Sequence, residues 1–147
     1  MAEDPQVVHR FEVDFKPYME DVVAVEVIGL GYSVEVIDSD LTSGTMETPT
    51  QKLAGRRNWP DLVIKYQASS KTVSVWEWRT LVDTDAMDSS RVNGSIMAMS
   101  RTGDVIAQWD VENAWASEVS GPEMDTSVSG IMYEQVKLVH EGIARVA

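Results

Sequence analysis

A chain of 147 residues, 44% apolar with five Trp and no Cys, can bury one domain-sized core and excludes disulfides and thiolate metal sites. Its 12 basic and 24 acidic residues give a formal charge of −12, which repels nucleic acid unless the few cations cluster. No run of about 18 apolar residues is present to span a membrane, and the start MAEDPQVVHRFEVDF lacks the basic and apolar regions of a signal peptide, so synthesis in the cytoplasm is expected.

Strand periodicity begins at residues 7–15, where Val7, His9, Phe11, Val13 and Phe15 share one face and Arg10, Glu12 and Asp14 the other. Residues 22–37 read as one long run. Val23, Val25 and Val27 alternate with Glu26, the run breaks at Gly29-Leu30-Gly31, and Tyr32, Val34 and Val36 resume it opposite Glu35. Glycines inside a strand pattern mark a bulge or bend, and long bent strands commonly belong to barrels. Residues 38–60, DSDLTSGTMETPTQKLAGRRNWP, are polar and carry Gly44, Pro49, Gly55 and Pro60. A structureless loop of that length is unusual in a compact domain. The alternative is an extended hairpin that orders only against a partner.

In residues 61–68, Leu62, Ile64, Tyr66 and Ala68 oppose Asp61, Lys65 and Gln67, which predicts a strand. Residues 72–83 are the one helical candidate. Thr72 stands at an N-cap position, Ser74 and Glu77 have capping-box spacing, and Val75, Trp78 and Val82 form a stripe with Trp76 beside it. The β-prone composition and the acidic Asp83-Thr84-Asp85 end argue against a helix there. Strands follow near 92–100 and 104–111, joined by Arg101-Thr102-Gly103 turn chemistry. A corner is expected at Trp109-Asp110-Val111-Glu112-Asn113-Ala114-Trp115, and Gly121-Pro122 ends the next segment. A closing strand covers about 129–140, with Val136 and Leu138 opposite Gln135 and Lys137, and ends at His140-Glu141-Gly142. The expected fold is mainly β, a barrel or sandwich of about six to eight strands with one short α-helix, in a single domain over 1–147.

Each candidate for chemistry fails on spacing or charge. His9, on an apolar strand face, reads as a core or interface histidine, and His140-Glu141 is followed by Gly142-Ile143 where a zinc helix would need a second His. Asp83, Asp85 and Asp88 resemble the start of a calcium loop, but Asp88 stands where that loop needs Gly and Gly94 where it needs Glu. No G-x-S-x-G elbow is present, and Gly29-Leu30-Gly31 runs into a strand instead of a helix, unlike a dinucleotide fingerprint. No catalytic residue, cofactor or metal is expected. Arg56-Arg57 beside Trp59 could stack on nucleic acid, but two arginines in so acidic a chain suit carboxylates on a neighbouring copy better. The expected subunit-contact residues are Glu47, Lys52, Arg56, Arg57 and Trp59. Core packing accounts for most of Trp76, Trp78, Trp109 and Trp115, though five Trp also suit a protein that buries flat surfaces between subunits.

The order of these pieces carries a resemblance. His9-Arg10-Phe11-Glu12-Val13 opens the chain and Val27-Ile28-Gly29-Leu30 precedes the polar loop. The 61–68 strand, the Trp76/Trp78 segment and the Arg91 β-pair follow. Trp109 with Asn113-Ala114-Trp115, then Glu134-Gln135-Val136-Lys137-Leu138-Val139-His140-Glu141-Gly142, complete the set. Together they resemble the tail-tube proteins of contractile phage tails and phage-like contractile injection systems. Two details depart from that pattern: Ala116 stands where Pro is common after the corner, and Arg57-Asn58-Trp59-Pro60 replaces the usual stretch before the next strand.

The resemblance implies a ring-forming, non-enzymatic protein. Homohexameric rings around a shared inner β-barrel would stack into a hollow tube, which sheath contraction drives through a target envelope. Implied partners are further copies of the chain, a sheath protein, baseplate or spike-hub and tube-terminating proteins, and a cargo effector in the lumen. No specific nucleic-acid binding and no membrane span are implied. The 38–60 segment would be a contact arm toward an adjacent subunit or ring, and an acidic lumen wall would not hold acidic cargo in transit. The product would be a phage tail-like particle, either a virion or an injection system. The tail tube of a DNA-containing contractile-tailed phage and a type VI-like ring-forming tube are the alternatives. A β-barrel binding module or hydrolase has no site to support it.

Overall fold

The computed structural model describes residues 7–40, 50–84, 87–122 and 130–147, without the side chains of 39, 40, 50 and 87. In chain order, β1 (Arg10–Phe15) and β2 (Met19–Ile28) precede β3 (Ser33–Asp40), β4 (Thr50–Asn58) and β5 (Leu62–Gln67). A 3₁₀ turn (Ser70–Thr72) leads into α1 (Val73–Asp83), followed by the single-turn α2 (Met87–Ser90). The chain closes with β6 (Val92–Met99), β7 (Val105–Ser120), β8 (Tyr133–Val139) and β9 (Gly142–Arg145).

Every pairing is antiparallel, and the main sheet runs β6-β1-β2-β5-β8-β7-β9. Because β6 also pairs with β7, the six strands β1, β2, β5, β8, β7 and β6 close into a barrel, with β9 added on β7. Closure satisfies the backbone groups that an open edge would leave exposed. The barrel expected from the sequence is therefore present, with six strands closing it and a seventh added in the same sheet, within the six to eight expected, beside a separate two-stranded hairpin and one principal helix.

The core is built by alternation. Val13 and Phe15 from β1, Leu62, Ile64 and Tyr66 from β5, Ile96 from β6, and Val136 and Leu138 from β8 are fully buried. Strand β2 takes the opposite phase to the one its valines suggested. Val22 pairs with Val13 and points inward with Ala24, while Val23 and Val25 are exposed. A register shift between Ala24 and Glu26 then inserts one extra residue, after which Val27 packs against the core. Four consecutive apolar residues carry no phase of their own, so the pairing with β1 decides it.

Residues 22–37 are not one bent strand. The chain leaves the barrel after Ile28, turns at Gly29 with φ +99°, and β3 then pairs only with β4. A Cβ at Gly29 would lie 2.3 Å from the Asp61 carbonyl oxygen, so the turn admits no side chain. The long bent strand is instead β7, whose 16 residues run straight through the expected corner. At Asn113, φ is 49° and the β6–β7 register shifts, which makes it a bulge residue in the left-handed region that Asn tolerates. Beyond the bulge the partner on that edge changes from β9, opposite Trp109–Glu112, to β8, opposite Trp115–Ser120.

Helix α1 forms where expected, but with other capping. Ser69 and Thr72 make the reciprocal box: Lys71 N–H donates to Ser69 Oγ (3.3 Å) and Ser69 N–H to Thr72 Oγ1 (3.0 Å). Ser74 Oγ instead donates to the carbonyls of Lys71 and Tyr18. Val75 and Trp78 are the buried face, and α1 packs on β7. Trp78 stacks on Tyr18 (5.3 Å between centroids, 9°), lies 5.9 Å from Phe15, and donates from Nε1 to the Ser90 carbonyl at 2.6 Å. Tyr18 Oη donates to the Ser89 carbonyl, so the two aromatic rings clasp α2.

Phe15 lies so close to β6 that a Cβ at Gly94 would stand 2.2 Å from its ring. Gly94→Ala therefore costs about 1–3 kcal/mol through forced displacement of the ring. Gly31→Ala, with nothing within 4 Å, shifts stability by no more than ~0.5 kcal/mol. Urea unfolding followed by Trp fluorescence checks the contrast, and equal losses at the two sites would refute the packing account.

Candidate assembly surface

The β3–β4 hairpin stands apart from the barrel. Neither strand pairs with any other, and the described side chains of both are exposed, with Gly55 alone half-buried. The 38–60 segment supplies only β4 and the end of β3 to the hairpin, whose other residues come from the preceding 22–37 run, and the structure describes its two legs, Ser33–Asp40 and Thr50–Asn58. Register fixes its faces. Val34 opposes Arg57, Val36 opposes Ala54 and Asp38 opposes Lys52, so these six share one face. Ile37 opposes Leu53 on the other. Val36 is 62% exposed and Ile37 47%, so both faces present apolar side chains to solvent. A lone two-stranded hairpin with no buried face is marginal in water.

Of the expected contact residues, Lys52, Arg56 and Arg57 lie together on β4, exposed and with no ion pair among the described residues. Trp59 lies at the root of the arm, half-buried against the core, 4.7 Å from the Tyr32 ring and edge-on to His140 at 5.9 Å. Glu47 falls outside the described residues. At the root β2 and β8 end, at Ile28 and Val139, and β5 begins, at Leu62.

His140 is buried, and its Nε2 lies 3.1 Å from the Pro60 carbonyl, while Nδ1 has no partner. Burial holds its pKa below the usual 6.5, opposed by the Pro60 bond and the charge of Asp61. His9 is exposed, which removes the core half of the core-or-interface reading, although its N–H donates to the Met99 carbonyl of β6 at 2.8 Å just ahead of β1.

A buried carboxylate escaped the sequence reading. Glu134 accepts from Trp76 Nε1 and lies 3.1 Å from Thr72 Oγ1, tying the start of α1 to β8. It shares the inward phase of Val136 and Leu138, and an acid on that phase was the available signal. Tyr66, buried with Oη unpartnered, has its pKa raised by burial and by the charge of Glu134.

None of this builds a catalyst. Neither histidine side chain contacts a nucleophile, and among the described residues no group of His, Asp and Glu could hold a metal. Asp83 ends α1 and is engaged by Arg79 at 2.9 Å, while Asp85 lies outside the described residues. An open cleft of about 350 Å³ is lined by Pro17, Glu20, Asp21, Lys71 and Ser74, and holds no paired acid and base within bonding distance.

A closed barrel with a protruding hairpin that exposes apolar residues on both faces, and no catalytic grouping among the described residues, defines the architecture of a structural protein. The family profile described as T4-like virus tail tube protein gp19 matches residues 7–144, and the chain belongs to that family. It is a tail tube protein and not an enzyme. No curated protein matches the chain in sequence. Among solved structures it is similar to a chain of the PVC extracellular contractile injection system, in the extended sheath–tube complex. The TM-score is 0.78 at 18% identity, over 99% of this chain and 93% of that one. A chain of the anti-feeding prophage tube-terminating cap scores 0.78 at 19% identity, over 99% and 93%. Hcp1 from Flavobacterium johnsoniae scores 0.56 at 14% identity, over 92% and 94%.

His140 makes the arm root pH-sensitive. The unfolded chain takes up a proton near pH 6.5 and the folded site resists it, so this contribution to stability is complete above pH 6.5 and declines as pH falls below it. Urea midpoints measured between about pH 7 and 5 should fall with acidification, and His140→Gln should flatten that part of the slope. An unchanged slope in the variant would show that His140 is not the group responsible.

Proposed function

We propose that the chain forms homohexameric rings that stack into the inner tube of a phage-like contractile injection system. The hairpin carries this reading: it exposes apolar residues on two faces, which is costly in a monomer, and it holds Lys52, Arg56 and Arg57 without an ion pair among the described residues, where they can meet carboxylates of another copy. Further free edges lie along β9 and the two hairpin strands, each a place where a neighbouring copy could add strands. The tail-tube family match supports the tube role. The higher similarity to the injection-system chains than to Hcp1 supports that system over a type VI-like tube.

In this reading a sheath protein surrounds the tube, and baseplate or spike-hub and terminating proteins close its ends. The similarity to chains in a sheath–tube complex, a terminating cap and a baseplate supports those partners. The charge of −12 suits passage of a cargo effector that must be released and not retained. No residue acts on the cargo chemically. Segment 38–60, with Glu47 in the part outside the described residues, is the arm that joins one ring to the next, and Trp59 fixes its root.

Replacing residues 34–57 with a short Gly-Ser turn should leave a folded barrel that still forms rings but no longer stacks. Circular dichroism reports the fold, and negative-stain microscopy of concentrated protein reports rings against tubes. Tubes of normal length from the shortened chain would reject the arm, and a persistent monomer of the intact chain, with sheath and baseplate components supplied, would reject the ring.

A further inference from the structure

The arm and one acidic cleft lie at opposite ends of the barrel. Strand β2 runs from Met19 to Ile28 and β5 returns from Leu62 to Gln67, so the hairpin between them leaves from the Ile28/Leu62 end. The turn between β1 and β2, and the Ser69–Lys71 turn after β5, occupy the other end. There Pro17, Glu20, Asp21, Lys71 and Ser74 line the open cleft. Glu20, Asp21 and Lys71 are exposed and make no ion pair among the described residues, whereas nearby Asp14 already faces Lys16 at 3.9 Å.

Charge runs the other way on the arm. Strand β4 places Lys52, Arg56 and Arg57 on nine residues with no acid, in a chain with twice as many acids as bases. Lys52 and Arg57 share their face with Val34, Val36 and Asp38, while Arg56 sits in the bulge opposite Glu35. That face sums to +1, counting Lys52, Arg57 and Asp38, and the cleft sums to −1, counting Glu20, Asp21 and Lys71. Each sign on one surface has a counterpart on the other. The valines match the one apolar wall, Pro17. At about 3.3 Å per residue, the eight residues of β3 reach roughly 26 Å, most of the length of a barrel strand. The arm is long enough to reach into the cleft end of a copy stacked above.

We propose that the Val34/Val36/Lys52/Arg57 face of one copy seats on the Pro17/Glu20/Asp21 cleft of the next copy along the tube, with Asp38 toward Lys71. The proposal rests on the arm reading above and names the surface that receives the arm. Because donor and acceptor surfaces lie at opposite ends of one chain, the contact is heterologous and repeats without closing, as a tube requires. Three cation–carboxylate pairs at its rim make stacking salt-sensitive and directional.

Charge exchange in the full chain tests it. Lys52→Glu with Arg57→Glu, and separately Glu20→Lys with Asp21→Lys, should each leave folded rings and reduce stacked tubes at least about tenfold. All four substitutions together should restore tubes. A cysteine pair, Arg57→Cys with Glu20→Cys, should cross-link between copies under oxidation, against a background with no native Cys. This pair decides the matter if a charge variant fails to fold. Tubes that survive reversal of the cleft, a fourfold variant that stays unstacked while folded, or rings and tubes without the cross-link would overturn this seat. The hairpin replacement separately tests whether an arm is needed at all.

Discussion

The ladder between β6 and β7 is the constraint on which the remainder depends. Without it the main sheet would end at β6 on one side and β9 on the other, and its interior face would need a second layer. With it, six strands enclose one core, and α1 needs to cover only part of the barrel, along β7, through Val75 and Trp78. The closure depends on β7 serving three neighbours, and the bulge at Asn113 lets it do so. Asn113 N–H donates to Asn93 Oδ1 on β6 at 3.0 Å, and its side-chain amide donates to Glu141 at 2.7 Å, just before β9. One left-handed residue thus ties together the point where β6, β7, β8 and β9 meet. A kink there changes which strand β7 pairs with, and leaves the strand itself continuous.

That closure decides what the surface can do. In the barrel the backbone is consumed by its own ladders, so contact with other chains falls to side chains, to the outer edge of β9, and to the hairpin. The arm owes its order to its root. Trp59 is held between Tyr32 and His140 and packs on the core, while Gly29 lets β2 pass within touching distance of Asp61. Beyond that root the arm is held only by its own β3–β4 ladder. A rigid root and an uncovered blade suit a part whose final shape is fixed by its neighbour.

Alternation made much of this legible from the residues. The strands at 61–68 and 92–100, the closing strand at 129–140 and the helix at 72–83 follow from period and spacing, and the observed elements lie within a few residues of those bounds. What was illegible has physical causes. The phase of β2 is hidden because Val22 to Val25 are all apolar, and only the register with β1 tells inside from outside. Asn113 reads as a corner because sequence shows the interruption of alternation but not whether the ladder continues across it. His9 matches its strand face by period, yet lies just beyond the barrel. For the contact residues, Lys52, Arg56 and Arg57 were marked by charge contrast alone. Their sharing of a strand, and the split between faces, required the register.

The acidity of the chain and its need to assemble pull against each other, and the fold separates them. Like charges on stacked copies repel at long range, so any joint must collect opposite charge where surfaces meet. Placing three of the twelve cations on one acid-free strand of a projecting arm concentrates attraction there, while the cations on barrel strands, such as Arg10 and Lys137, are largely set beside acids. Each such joint is weak alone, since exposed ion pairs contribute about 0–1 kcal/mol and the apolar area is small. In the proposed ring, however, several arms engage together, and linked weak contacts multiply into firm stacking with a steep dependence on how many form. In such a ring one arm alone would hold two copies only weakly, while rings that engage all of theirs would not readily come apart.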